Sequence, residues 1–166
     1  MKMRILGITL FVFSLWLPAS AQKVVEGSFP TLNKGEKLNL VLDFSNANIH
    51  GMSEEEFAVY EPDWNVDKPD IIARFFGEMS SKLRGKIYVG NFKEVTYVLK
   101  VNVLNIAVKG DFECEAILQT HDGNLMARIG EIKAKGGTFG TKLNLIKDGS
   151  EHTGKVLGKF IYNHLK

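Results

Sequence analysis

Apolar and polar residues alternate along Lys37–Phe44 (KLNLVLDF), placing Leu38, Leu40, Leu42 and Phe44 on one side of an extended chain. That period of two predicts a half-buried β-strand. Farther on the period lengthens. Ile71, Ile72, Phe75, Phe76, Met79 and Leu83 recur at helical spacing, and Val156, Leu157, Phe160, Ile161 and Leu165 repeat it. Each set is the stripe of an amphipathic helix. Asp67-Lys68-Pro69-Asp70 opens the first in this reading and Gly85 closes it; the second follows Asp148-Gly149-Ser150. A shorter helix is predicted over 52–60. Ser53 caps it, Glu56 returns the bond, and Met52 packs on Phe57. Glu54, Glu55 and Glu56 suit the positive end of its dipole, and Pro62 stops it. Residues 22–29 read as an extended lead-in.

From Val95 the period returns to two. Segments 95–109, 112–120 and 125–134 predict three strands, with Gly110-Asp111 as a type II′ turn and Asp122-Gly123 as type I′. The first turn sets Ala107 opposite Cys114, Asn105 opposite Ala116 and Val103 opposite Leu118. Leu99, Val101, Val103, Ala107, Cys114, Ala116 and Leu118 then share an apolar face. The other face mixes Glu113, Glu115 and Gln119 with Leu104, Ile106 and Val108, and is expected to be partly covered. An unbroken ladder would carry Glu131 into the core opposite Cys114. One extra residue at Gly130 returns Ile132 and Ala134 there instead, so a β-bulge is predicted at Gly130.

Two helices with one broad stripe each want one sheet face between them. The expected fold is α/β of the α+β type, a mostly antiparallel sheet of about four strands with two amphipathic helices on one face. Gly154 and Gly158, four residues apart, allow those helices to approach closely.

The first 21 residues follow none of these patterns. Lys2 and Arg4 precede an apolar run from Ile5 to Leu17, Pro18 ends it, and Ala19-Ser20-Ala21 supplies small residues at a cleavage point. This predicts a secretory signal at 1–21, a mature start at Gln22 and a single α/β domain at 22–166. The run is shorter than the roughly 20 residues a membrane span needs, so no stable insertion is expected once the signal is gone. The chain carries 21 Lys+Arg against 19 Asp+Glu; losing Lys2 and Arg4 leaves a formally neutral protein. That balance gives no case for nucleic acid or anionic lipid as a partner. Cys114 is the only cysteine, so no internal disulfide forms even in an oxidising compartment.

The stretches FPTLNKGEKLNLVLDFSNANIHGMSEEEF (29–57) and GGTFGTKLNLIKDGSEHTGKVLGKFI (136–161) resemble a family of secreted Bacteroidetes proteins of unknown function. More distantly, the order strand, helix, β-meander and C-terminal helix is similar to small periplasmic α/β domains of envelope-assembly proteins, such as the curli-secretion lipoprotein. The resemblance implies an envelope role. No lipidation cysteine or membrane-spanning hairpin accompanies it, so pore formation is not carried over.

Candidate chemistry is sparse. Asp63, Asn65 and Asp67 begin like a calcium loop, but Lys68 and Arg74 stand where an EF-hand needs glycine and glutamate. A solvated loop ending in a helix cap is favoured, and no metal or cofactor is expected. Cys114 reads as a buried structural thiol. His50, His121, His152 and His164 show no metal-ligand spacing, and no G-x-S-x-G motif marks a serine nucleophile. The most suggestive segment is Lys135-Gly136-Gly137-Thr138-Phe139-Gly140-Thr141-Lys142. Its backbone amides could form an anion nest, with Lys133, Lys135 and Lys142 adding charge, although the P-loop spacing is not met. The plainer alternative is a flexible strand-to-helix connection. Lys135, Gly136, Gly137, Gly140 and Lys142 are thus the candidate ligand residues. Tyr60 and Trp64 are candidate partner contacts if exposed, and a lid on the core if packed.

The sequence therefore favours an exported, non-enzymatic binding or assembly module of the cell envelope, acting on an envelope protein partner. A small-ligand or anion-binding protein using loop 136–142 comes second, and a hydrolase with an unrecognised site third. Nothing in the residues sets an oligomeric state.

Overall fold

The computed structural model describes residues 22–30 and 32–165; the expected signal at 1–21 lies outside them. Ten elements follow in order: β1 (Lys23–Gly27), β2 (Glu36–Asp43), β3 (Asn48–Ile49), α1 (Glu54–Tyr60), α2 (Trp64–Leu83), β4 (Ile87–Gly90), β5 (Tyr97–Ile106), β6 (Phe112–Thr120), β7 (Leu125–Ala134) and α3 (Lys142–Asn163). The sheet has seven strands in the order β1-β7-β6-β5-β2-β4, with β3 beside the end of β5. The β1, β7, β6 and β5 neighbours pair antiparallel, while β2 runs parallel to β5 and β4. The fold is thus mixed α/β. The expected four-stranded, mostly antiparallel sheet is corrected to seven mixed strands, and the two long helices are joined by the short α1.

The three antiparallel strands expected after Val95 are present with a different register. Val103 faces Cys114, Val101 faces Ala116 and Leu99 faces Leu118. The hairpin is not the two-residue type II′ turn. The Gly110 amide donates to the Ala107 carbonyl at 2.7 Å, the Ala107 amide to that of Asp111 at 2.9 Å, and Gly110 has φ +76°. The 120–124 turn is built alike, with Gly123 at φ +86° in place of the expected type I′ geometry. Each is a three-residue loop whose left-handed glycine closes a type I turn. The register error is four residues, an even number, so side chains keep their faces. Ile106 and Ala107 are the exceptions, and Ala107, expected in the core, is only half-buried where it closes the hairpin loop. A bulge between Val103 and Asn105 turns Ile106 inward opposite Phe112, and both are buried.

The expected bulge at Gly130 is present. Ile129 pairs with Ala116 and Ile132 with Cys114, so Gly130 and Glu131 together span the step past Glu115. Glu131 takes φ +58° there, and Ile132 and Ala134 enter the core.

Both long helices start earlier than their stripes suggest. The Val66 and Asp67 amides donate to the Asp63 carbonyl, and fully buried Trp64 anchors the added turn, donating to Glu54 at 3.1 Å. Pro69 therefore sits inside α2 rather than opening it. Helix α3 begins at Lys142, capped by Thr141. Gly149 is a contact, not a break: a β-carbon there would stand 1.9 Å from the Gly110 carbonyl oxygen. The capping box of Ser53 and Glu56 on α1 is formed, an arrangement worth about 1 kcal/mol.

Helices α2 and α3 lie parallel on one sheet face. Ser150 Oγ donates to the Ile71 carbonyl at 2.7 Å. One turn on, a β-carbon at Gly154 would meet the Phe75 carbonyl at 2.3 Å; a turn later, one at Gly158 would meet that of Met79 at 2.9 Å. Small residues four apart thus let the backbones touch. The covered face holds Leu38, Leu40, Leu42, Leu99, Val101, Val103, Cys114, Ala116, Leu118, Ala127 and Ile129. Partial cover was expected for the other face, but among the described elements no helix lies on it. Its ion pairs Lys100–Asp43, Arg128–Glu115, Arg128–Glu26 and Lys133–Glu113 run between neighbouring strands. No helix of the described residues is long and apolar enough to cross a membrane.

Candidate functional site

The glycine-rich connection is placed by the strand it leaves and the helix it enters. β7 ends where β6 begins, Phe112 opposite Ala134, so loop 135–141 lies against the β5–β6 hairpin. A β-carbon on Gly136 would fall 2.0 Å from the Lys109 carbonyl oxygen, so the first glycine is required by close approach. The nest expected there is already filled. Asp111 accepts from the Gly136 amide at 2.8 Å and from Lys135 Nζ at 2.9 Å. Lys135, then the Gly136 amide, hold the Asp111 carboxyl below its ordinary range. The Gly137 amide donates to the Leu145 carbonyl at 3.2 Å. The structure therefore brings Lys135 and Gly136 together around an internal carboxylate, while Gly137 bonds to α3. An open cavity of about 520 Å³ remains beside them, lined also by Lys109, Thr138 and Leu145.

Gly140 and Lys142 serve the next feature. Gly140 has φ +119° and packs on Asn144, turning the chain into α3. Lys142 reaches back to α1, donating to Tyr60 Oη at 2.8 Å, with Glu61 3.9 Å away. The hydrogen bond to Tyr60 comes first in raising the Lys142 ammonium above its ordinary value. Tyr60 is exposed. Trp64 is buried, edge-on to Phe44 and Phe57 at 5.6 and 5.3 Å, and forms the lid rather than the surface.

The carboxylates that resembled a calcium loop are dispersed. Asp63 precedes α2, and Asn65 and Asp67 lie in its first turn, where Asp67 meets Lys147 at 3.1 Å. Cys114 is buried; burial and then Glu113 push its thiol far up, against nucleophilic use. His152 and His164 pair with the backbone carbonyls of Lys135 and Phe160, not with carboxylates.

Two features were missed from sequence. His50 takes φ +54° and packs edge-on to Phe57 at 5.1 Å. Its Nε2 is buried with no partner; burial, then the Lys142 charge, lowers its pKa. The second is a set of apolar residues in water at one end of the fold. Phe139, Val59, Val66 and Val108 are 87%, 83%, 76% and 65% exposed, the four highest values among the large hydrophobics of the described residues, and Tyr60 is exposed as well. All lie at the end where α2 and α3 begin: Val108 on the hairpin, Phe139 on the glycine loop, Val59 and Tyr60 on α1, Val66 in the first turn of α2. An aromatic between glycines and a valine at a turn tip were the available signals.

No protein-family model matches the chain, and no curated protein matches it. Among solved structures it is similar to the PelC dodecamer from Paraburkholderia phytofirmans. Identity is 13%, coverage is 84% of this chain and 97% of that one, and the TM-score is 0.48. It is also similar to a Xanthomonas campestris protein of family DUF330, at 13% identity over 87% of this chain and 94% of that one, TM-score 0.42. At these scores neither assembly nor role transfers to this chain. The resemblances to secreted Bacteroidetes proteins and to the curli-secretion lipoprotein stay expectations from sequence.

Proposed function

We propose that this protein is an exported, non-enzymatic binding module of the cell envelope that docks a protein partner on the end carrying Val59, Tyr60, Val66, Val108 and Phe139. The observation behind this is where the exposed apolar side chains sit. Scattered surface hydrophobics are ordinary, whereas a group gathered on one end marks a contact surface. Tyr60 and Phe139 are the residue types that anchor interfaces. Of the lysines around them, Lys135 and Lys142 already have partners within the fold, and Lys109, next to Val108, adds a positive charge beside the apolar groups.

The test is cross-linked affinity capture from the native envelope fraction, comparing the protein with a Val108→Ser/Phe139→Ser variant. One stoichiometric protein that follows the first and not the second is the expected result. The same proteins with both, or none with either, sinks the reading. N-terminal mass spectrometry of the recovered protein checks export separately, with Gln22 expected as the first residue.

Anion capture by loop 136–142 is the second reading, motivated by the carboxylate the loop already holds. An outside anion would have to displace Asp111. Asp111→Asn should then strengthen binding of acetate or phosphate, and no change in that variant removes this reading.

A further inference from the structure

The opposite end of the helix pair carries a cluster that neither reading uses. Helices α2 and α3 are parallel, so both C-termini emerge together. Around them Lys82, Arg84, Lys159, Tyr162 and Asn163 line an open cavity of about 250 Å³. Arg84 Cζ and Lys86 Nζ lie over one ring, that of Tyr162, 5.4 and 4.5 Å from its centroid. Lys82 pairs with Glu78 at 2.8 Å. Among the described residues Arg84, Lys86 and Lys159 form no ion pair. Two cations thus lie over one tyrosine and two more line the cavity beside it, and among the described residues one of the four, Lys82, has a carboxylate partner.

Helix dipoles account for part of this, since two negative ends coincide here and favour cations. They do not account for Arg84. Its φ of +52° is a conformation in which a β-carbon is crowded and glycine is at ease. Arg84 is the left-handed residue that caps the end of α2, a place glycine usually takes; arginine holds it at a backbone cost, and within the fold its side chain stacks on Tyr162.

We propose that this cluster is a binding site for a phosphate-bearing anion. A single carboxylate would satisfy one of the cations. A phosphate offers several oxygens, which the Arg84 fork and the Lys82 and Lys159 ammoniums lining the cavity can share, while Lys86 over the Tyr162 ring adds positive charge. Asn163 supplies an amide and Tyr162 a hydroxyl for the remainder of the ligand. The phosphate reaches the site either free in solution or as a lipid headgroup.

The probes are pyrophosphate, followed by calorimetry at low salt, and phosphatidylcholine vesicles with and without phosphatidic acid, followed by co-sedimentation. The protein is compared with Arg84→Gly/Lys159→Gln and, as a control of equal charge change on strands β1 and β5, Lys23→Gln/Lys100→Gln. Saturable binding of pyrophosphate, weakened about tenfold or more by the first variant and unchanged by the second, supports the site with a soluble ligand. Preference for the phosphatidic acid vesicles, abolished by the first variant alone and without pyrophosphate binding, supports it with the headgroup as source. Binding of neither probe, or equal loss in both variants, overturns it. Arg84→Gly also separates site from scaffold. Its melting temperature should hold or rise as backbone strain is relieved, whereas a purely structural arginine would lower it and leave probe binding untouched.

Discussion

Where α2 and α3 begin, lysines meet acids. Lys147 sits 3.1 Å from both Asp67 and Asp70, Lys135 is 2.9 Å from Asp111, and Lys68 pairs with Glu54. Where the two helices end, Arg84 and Lys86 lie over Tyr162 and Lys159 lines the cavity beside it, without a counter-ion among the described residues. The first end is anchored by an aromatic core and presents apolar tips; the second presents charge. A count of lysines does not distinguish them, since what separates a structural cation from an available one is whether a carboxylate sits beside it. Substitutions at the first end should therefore cost stability, and those at the second should not.

The largest effect is expected beneath the first end. Trp64 is fully buried between Phe44 and Phe57 and holds the opening turn of α2. Trp64→Ala should cost about 3–5 kcal/mol in urea unfolding. A loss under about 1 kcal/mol would mean that this end is not built on its aromatic core.

Next come the glycines on which α3 packs, and they grade from one end to the other. A β-carbon meets a backbone oxygen at 1.9 Å on Gly149, 2.3 Å on Gly154 and 2.9 Å on Gly158. Alanine should cost about 2–3 kcal/mol at the first two and less at Gly158. Gly77, on the exposed side of α2 with no atom within 4 Å of the added carbon, should instead gain roughly 0.5–1 kcal/mol as alanine. Equal costs at Gly149, Gly154 and Gly158 would remove the claim that α3 is packed most tightly toward the first end.

These glycines also mark where sequence was a sufficient guide and where it was not. The side-chain period of two located β2, β5, β6 and β7, and the need to keep Glu131 out of the core located the bulge. Period says nothing about loop length, so the hairpin register slid by four while the faces survived. Gly149 reads locally as a helix break because its partner, Gly110, lies on a distant hairpin; without that contact α3 loses two turns. β4 is four residues long, too short to show a period. The glycine loop was legible as a nest, but its occupant was not. Asp111 comes from 25 residues away, and only the β6–β7 pairing brings it there. The cationic cluster was invisible for the same reason, being assembled by two parallel helix ends.

The comparison sharpens on one lysine from each end. Lys147 has a side chain only 14% exposed. Burial pulls its ammonium down, and the hydrogen bonds it donates to Asp67 and Asp70 outweigh that and leave it raised. Its pairing thus favours folding below the unfolded lysine pKa and is lost as pH rises through the raised value. Lys147→Met should cost about 1 kcal/mol at neutral pH, near the upper range for partly exposed pairs. Lys159→Met should stay within about 0.5 kcal/mol. Reversal of that order would mean that the second end is the structural one.

The smallest effect is a pH dependence at the first end. His50 has its pKa lowered from 6.5 by burial and then by Lys142. Above the unfolded value both states are neutral and the group contributes nothing to pH dependence. As pH falls below 6.5 the unfolded chain takes up a proton that the folded chain resists, so stability declines until the folded His50 is itself protonated. Asparagine tolerates the left-handed backbone that His50 adopts and does not titrate. His50→Asn should therefore flatten the loss of melting temperature between neutral and mildly acidic pH. The other three histidines remain in that variant. If its melting temperature falls with acid as steeply as that of the parent, the acid sensitivity lies with them and the first end is not pH-responsive.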